Sequence, residues 1–203
     1  MKQSNSVQAL LGHTDIYLVD QIMKGRYAQN DLVLDAGCGG GRNMHWFIQN
    51  GFRISGIDPN AEAIYALQAA YPHIAGDLSI GSIEENVFAD DRFHHIICSA
   101  VLHFANSTEQ FKVMLAAIVR IVKPGGTIFI RMTSDIGIED KITALGDGVF
   151  LLPDGSQRFL LTRTLLAGCM LQHKLLFAEP VKTTNVDDLR CMSTLLLQKQ
   201  PVG

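Results

Sequence analysis

Val33-Leu34-Asp35-Ala36-Gly37-Cys38-Gly39-Gly40-Gly41-Arg42-Asn43 begins apolar, passes through a glycine loop and opens onto a run with helical character. Glycine accepts positive φ and lets a ligand approach the backbone, so the stretch reads as strand, turn and helix start. In doubly wound α/β folds, ligands bind at the carboxyl ends of the strands near the switch point, where such a loop would sit. The G-x-G-x-G spacing through Gly37, Gly39 and Gly41 places Arg42 where a dinucleotide fingerprint needs a third small residue. No Gly-Lys-Ser/Thr follows, which excludes a phosphate-binding P-loop. Asp35, inside the motif, would repel a pyrophosphate and suits a ligand that carries an ammonium group.

Outward from this loop, apolar runs alternate with helical patterns. Strands are expected at Leu32–Leu34, Phe52–Ile57, Leu78–Ile83, His94–Ser99 and Thr127–Met132. Helices are expected at Thr14–Ala28, capped by Thr14, at Asn43–Asn50 before Gly51, at Asn60–Ala70 and at Ser107–Val122. Lys123-Pro124-Gly125-Gly126 reads as a turn. This alternation implies parallel βαβ units, an open sheet with helices on both faces. The tail departs from it. Residues 134–160 look irregular, Thr162–Gly168 helical, and Leu175–Lys182 and Cys191–Lys199 read as strands with no crossover helix, hence antiparallel.

The bulk properties bound the function classes. The chain has 203 residues, 47% hydrophobic and 18% charged, with a formal charge of −3, which fits one globular domain. That balance lacks the basic footprint of a nucleic-acid binder. No apolar run reaches the roughly 18–20 residues of a membrane span, and nothing resembles a signal peptide, so a cytoplasmic protein is expected. Cys38, Cys98, Cys169 and Cys191 form no C-x-x-C pair, as expected of reduced thiols. His94 and His95 are adjacent on a strand and point to opposite faces, while His13, His45 and His173 show no ligand spacing, so no metal site is expected.

Asp58 closes the second strand, where an acid can accept hydrogen bonds from vicinal ribose hydroxyls, or serve the next helix as a cap. Together with Asp35 it implies a cationic, ribose-bearing ligand without phosphates, a description that S-adenosylmethionine meets. At this point the chain resembles the class I S-adenosylmethionine-dependent methyltransferases of the small-molecule type. The matching pieces are Leu34 to Gly41, Gly56-Ile57-Asp58, Ala100-Val101-Leu102-His103-Phe104, and Leu115 through Lys123-Pro124-Gly125-Gly126.

The resemblance implies an α/β, doubly wound, Rossmann-like sheet of seven mostly parallel strands with an antiparallel last strand. It implies one domain, with residues 1–30 a helical cap, 31–133 the cofactor-binding core, 134–160 a substrate-side insertion and 161–203 a closing helix and strand pair. By the same resemblance, Gly37, Cys38 and Gly39 pass under the cofactor through their backbone, Asp35 lies near its amino-acid end, and Asp58 holds the ribose. Pro59 and Asn60 flank the adenine. Ser82 stands where the family often has an Asp, with Ile83 against the ring. Ser99 and Ala100 line the methyl side, and Tyr17 either closes over the cofactor or is a rim aromatic.

His103 is the candidate catalytic residue, as a general base or positioning group, with a hydrogen-bonded pocket wall as the other reading. Arg131 and Arg158 either meet an anionic substrate group or are solvated and ion-paired. The implied activity is methyl transfer to an O, N or S nucleophile of a small molecule. No Asn/Asp-Pro-Pro-Tyr run and no Pro-Cys pair follow the fourth strand, which argues against nucleobase amine and cytosine carbon targets. The alternative is a cofactor-binding but catalytically silent regulatory or scaffold protein of the same fold. A nicotinamide-dependent enzyme is disfavoured by Asp35 and Arg42. The sequence leaves the oligomeric state open.

Overall fold

The central strands carry consecutive apolar residues, Leu32-Val33-Leu34 in the first and Ile96-Ile97-Cys98 in the fourth, and this dictates a sheet buried on both faces. A computed structural model describes residues 6–201 and places that sheet at the centre. Strands β1 (Leu32–Ala36), β2 (Arg53–Asp58), β3 (Leu78–Ile80), β4 (Phe93–Ser99) and β5 (Val122–Ser134) run parallel. The order is β3-β2-β1-β4-β5, so the winding reverses between β1 and β4. Side chains alternate across the sheet, as the two-residue strand period requires. Leu34, Ile96, Ile128 and Ile130 pack on one face and Val33, Ile97 and Phe129 on the other.

Helices α1 (Ser6–Leu11), α2 (Ile16–Met23), α3 (His45–Gln49), α4 (Ala61–Ala70), α5 (Thr108–Ile121) and α6 (Arg163–Gln172) connect the strands or flank them. Phe111, Leu115 and Ile118 of α5 and Leu166 and Cys169 of α6 cover the first face. Leu18 of α2, Phe47 of α3 and Ile64 of α4 cover the second.

The sheet ends as expected, with antiparallel β11 (Arg190–Lys199) against β5. The outermost strand position is shared by β9 (Leu175–Phe177) and β10 (Lys182–Val186), both antiparallel to β11. They are expected as one strand. Ala178 N–H still bonds to Leu196 O at 2.8 Å, and the ladder is interrupted around Pro180, which has no N–H to give. Seven strand positions are therefore filled by eight strands.

Several local expectations are corrected. The first helix is shorter than Thr14–Ala28, and its cap is Asp15, whose carboxylate accepts from Tyr17 N–H at 3.0 Å; Thr14 instead donates its hydroxyl to Leu11 O. Strand β3 stops before Gly81, whose N–H turns back to Asp58 O at 3.1 Å. The Lys123–Gly126 turn is a bulged start of β5, in which pairing jumps from Phe93–Val122 to His95–Thr127. Gly126 is pressed against the neighbouring strand there, and a Cβ would stand 2.7 Å from His94 O.

The stretch 134–160 is not irregular. It contains an antiparallel meander of β6 (Thr143–Gly146), β7 (Val149–Leu151) and β8 (Gln157–Phe159). Glycine and Asp-rich turns conceal it in the sequence. Phe159 anchors it to the core, stacked on Phe111 with ring centroids 4.9 Å apart. The paired histidines are structural: His94 accepts from Leu32 N–H at 2.8 Å, and His95 bonds Thr127 and Asp31 at 2.7 and 3.0 Å. Among the described residues no helix is long and apolar enough to cross a membrane, and no group of metal-ligating side chains gathers.

Phe129 sits at the middle of β5 and is 1% exposed, so its removal leaves a cavity that the sheet cannot close. Phe129→Ala is expected to lower the unfolding free energy by about 3–5 kcal/mol, measured by urea denaturation.

Candidate functional site

The reversal between β1 and β4 opens a crevice at the carboxyl ends of the strands, and the glycine loop enters it. Gly37 and Cys38 both donate their backbone N–H to Ile57 O, at 2.8 and 3.1 Å, which latches the loop to β2. Gly37 has φ +81°, and a Cβ there would lie 2.4 Å from Cγ2 of Val101. Only glycine meets both conditions. Gly39 donates its N–H to Asp58 Oδ2 at 2.8 Å, and Asn60 donates to Oδ1 at 2.9 Å. Asp58 thus braces the loop and the start of α4, and each oxygen keeps a further lone pair. The cap of α4 is Asn60, which accepts from Ala63 N–H at 3.1 Å.

The resulting cleft has a volume of about 470 Å³ and falls in the size range of small-molecule sites. Of the residues singled out in the sequence, Gly37, Asp58, Pro59, Ser82, Ile83 and Ala100 line it. Val101, Phe104, Gln110, Met114 and Glu84 complete the wall. Glu84 accepts from Gln110 Nε2 at 3.0 Å, so an acid does follow the third strand, two places beyond the expected one at Ser82. The Ser82 hydroxyl is turned to Glu85 N–H at 3.3 Å.

Asp35 stands on β1 two residues before Gly37 of the cleft wall; it is 1% exposed, and its Oδ2 has no hydrogen-bond partner among the described residues. Burial pushes its carboxyl up to about 7; the nearby Arg42 opposes the shift and Asp58 adds to it. A buried carboxylate without a donor is costly, and it is satisfied by a ligand that brings one.

The remaining sequence candidates lie elsewhere. Cys38 is buried, its sulfur packed at Gly56, where a Cβ would fall within 2.9 Å. Burial pushes the thiol above its usual range, which keeps it protonated. Ser99 does not face the cleft: its hydroxyl donates to Asp15 Oδ2 at 3.3 Å and accepts from Arg42 at 3.4 Å. Asp15 was not singled out in the sequence, yet it joins much of the site. Its backbone N–H bonds to Asn43 at 3.0 Å, and its carboxylate pairs with Arg131 at 3.4 Å and Arg42 at 3.8 Å. This polar cluster fastens α2 over the loop. Tyr17 points across the molecule, with its hydroxyl on that of Thr184 and the Arg131 guanidinium 5.2 Å above its ring.

His103 does not line this cleft. It lies in the short helical turn Leu102–Phe104, whose Phe104 faces the cleft while His103 faces a second cavity. Its ring is buried, and Nδ1 accepts from Thr133 N–H at 3.4 Å. That bond places the imidazole proton on Nε2. Burial, aided by Arg158 and Arg131, pushes its pKa down to about 4. A group so weakly basic, with its acceptor nitrogen already engaged, fits a pocket wall and hydrogen-bond donor better than a general base.

Residues 34–130 match a family described as a methyltransferase domain. No curated protein sequence matches the chain. Among solved structures, a S-adenosylmethionine-dependent methyltransferase from Methanosarcina mazei superposes with a TM-score of 0.74 at 17% identity, covering 89% of this chain and 98% of its own. The 1,6-didemethyltoxoflavin-N1-methyltransferase of Burkholderia thailandensis, solved with 1,6-didemethyltoxoflavin and S-adenosylhomocysteine, gives 0.69 at 16% identity over 96% of this chain and 81% of that one. The [4+2]-cyclase SpnF gives 0.69 at 14% identity, covering 92% and 82% of the two chains.

The His103 imidazole is expected to titrate near pH 4, against 6.5 for an unburied ring, followed by its NMR shifts in the folded protein. Between those values the unfolded chain binds more protons than the folded one. The contribution of His103 to stability is therefore full above pH 6.5 and is lost as pH falls through about 4.

Proposed function

We propose that this chain is a class I S-adenosylmethionine-dependent methyltransferase that transfers a methyl group to an oxygen, nitrogen or sulfur atom of a small molecule. The observation that carries the reading is the unpartnered carboxylate of Asp35, buried below a loop whose Gly37 has no room for a side chain. A cationic ligand lying against that loop would supply the missing donor. Bound S-adenosylmethionine supplies an electrophilic methyl group on a sulfonium that is itself a good leaving group.

The protein's own residues have the tasks of holding, orienting and drying. Asp35 takes the ammonium end. Gly37, Cys38 and Gly39 offer backbone without side-chain obstruction, and Asp58 accepts from the ribose hydroxyls with its free lone pairs. Pro59, Ser82 and Ile83 flank the adenine, with Glu84 as an acceptor within the same wall. Ala100 and Phe104 border the methyl side, where apolar surface keeps water from the reacting carbon. His103 acts as a neutral donor through Nε2 and removes no proton. Residues 31–133 form the cofactor-binding core, and the 134–160 insertion with its meander forms the substrate side. A small molecule, as opposed to a nucleic acid, is the substrate that a second cavity of about 450 Å³ suits.

The rival reading is a protein that holds the cofactor without transferring its methyl group. The likeness to a [4+2]-cyclase favours keeping it in view, because one fold hosts more than one chemistry. Formation of S-adenosylhomocysteine in the presence of candidate acceptors separates the two readings.

Calorimetric titration with S-adenosylmethionine and S-adenosylhomocysteine tests the cofactor assignment. Asp58→Ala is expected to weaken both by about tenfold or more, the effect of lost charge-assisted hydrogen bonds. Asp35 makes a further prediction. Its folded value near 7 exceeds the ordinary 3.8, so the stabilisation it brings to the ligand-free protein is full below pH 3.8 and is lost as pH rises through about 7. An ammonium ligand reverses this preference, and titrations near pH 7 in buffers of different ionisation enthalpy should show a proton released on binding. Asp35→Asn should abolish that release and weaken binding. It should also raise the melting temperature of the ligand-free protein in mild alkali by several degrees, at about 2–4 °C per kcal/mol for a chain of this size.

A further inference from the structure

We propose that the methyl-accepting substrate carries an oxyanion, a carboxylate or a phosphate, which Arg131, Arg158 and Arg190 grip in the cavity behind the His103 turn. This rests on the methyltransferase reading above and names the class of molecule that the second cavity takes. The cavity has a volume of about 450 Å³ and lies where the carboxyl end of β5, the strand β8 and the start of β11 meet. Three guanidinium groups line it, from Arg131, Arg158 and Arg190, against a single acid, Asp154.

That acid does not neutralise them. Asp154 is already occupied by Ser156, whose N–H and hydroxyl reach it at 2.9 and 2.6 Å, and it meets only Arg190, at a long 3.4 Å. Arg158 has no carboxylate partner among the described residues; it donates to Gln157 O at 2.7 Å and lies 5.1 Å above the Phe104 ring. Arg131 pairs with Asp15 through Nη1, but its Nε is buried without a partner among the described residues. Beside them the buried His103 keeps an N–H to give, since Thr133 holds its other nitrogen. In a protein with a formal charge of −3, this concentration of donors is local. The buried Nε of Arg131 and the donors that Arg158 and Arg190 leave unfilled are ones that a planar or tetrahedral oxyanion satisfies.

The position fits an acceptor substrate. Phe104 forms part of the cofactor cleft, and Arg158 stacks over the same ring, so the arginine cavity begins where the cleft ends. Ala100, on the cleft wall, donates its N–H to Arg131 O at 2.7 Å. A molecule anchored by its anionic end among the arginines can extend past the His103 turn toward the methyl side of the cleft. Anchoring away from the reacting atom is a means of orienting a nucleophile.

The test titrates the full-length protein, with and without S-adenosylhomocysteine, with benzoate, phenyl phosphate and neutral benzamide. The readout is the Nε–Hε NMR signals of Arg131, Arg158 and Arg190, assigned by single Arg→Lys substitutions. The expected result is a saturable shift of these signals with one or both anions and none with benzamide; which anion binds more tightly distinguishes carboxylate from phosphate. Arg158→Gln and Arg190→Gln are each expected to weaken anion binding by about tenfold. Affinity for S-adenosylhomocysteine should stay within about twofold, because neither residue lines the cofactor cleft. Anions that move the signals no more than benzamide does, or that bind the folded variants as well as the parent, would overturn the proposal. Arg190 is half exposed, so its replacement provides a folded variant even where Arg158→Gln fails to fold. Anion binding without S-adenosylhomocysteine binding would count against the cofactor assignment and leave the arginine site standing. The opposite pattern would remove the site and leave the cofactor assignment intact.

Discussion

The structure hinges on a crowded crossing at the end of β1, where two consecutive N–H groups, of Gly37 and Cys38, share the carbonyl of Ile57. That pair of hydrogen bonds holds the loop against β2 and leaves Gly37 pressed on Val101, with no space for a Cβ. From it follow the burial of Asp35 beneath the loop, the reach of Gly39 to Asp58, and the placing of Ala100 and Val101 along the opposite wall. A side chain at position 37 would have to displace the segment that follows β4, and both sides of the cleft would open together.

Electrostatics divide the site into two ends of opposite character. At one end lie Asp35 and Asp58, where burial pushes the Asp35 carboxyl up to about 7. At the other lie three arginines and a neutral imidazole. Asp15 stands between them, its side chain 3% exposed, and ties Arg42, beside the glycine loop, to Arg131, beside the second cavity. Opposite charges so close together are stable in the ligand-free protein when they are held apart and braced by neighbours. The Asp15 cluster supplies that bracing on the side of the N-terminal helix.

The likeness to a cyclase as well as to methyltransferases shows how much of the scaffold is indifferent to the chemistry it hosts. What distinguishes one protein from another on this fold is the set of groups that the loops bring to the carboxyl ends of the strands. In this chain those groups come from the Leu102–Phe104 turn, from the meander of β6, β7 and β8, and from the first residues of β11.

The alternation of strands and helices, the glycine loop and the acids at the ends of β1 and β2 were legible in the amino-acid order. Each is a local pattern: a two-residue period, a helical stripe, or a residue type that only one backbone conformation tolerates. Even the antiparallel close of the sheet was legible, from the missing crossover helix between its last segments. The meander within 134–160 was not, because its strands are short and partly exposed and their pairing is settled only by packing through Phe159. Nor was the turning of the Ser99 hydroxyl onto Asp15, or the placing of His103 in a cavity apart from the glycine-loop cleft. The convergence of Arg131, Arg158 and Arg190 belongs to the same class. They stand on strands far apart in the chain, and only the register of β5 with β11 and the docking of β8 bring their charges around one cavity. The sequence by itself determined the strands, the loop and the acids, because these depend on neighbours along the chain. The tertiary structure decided which polar groups face one another, because that depends on contacts between segments that the sequence keeps apart.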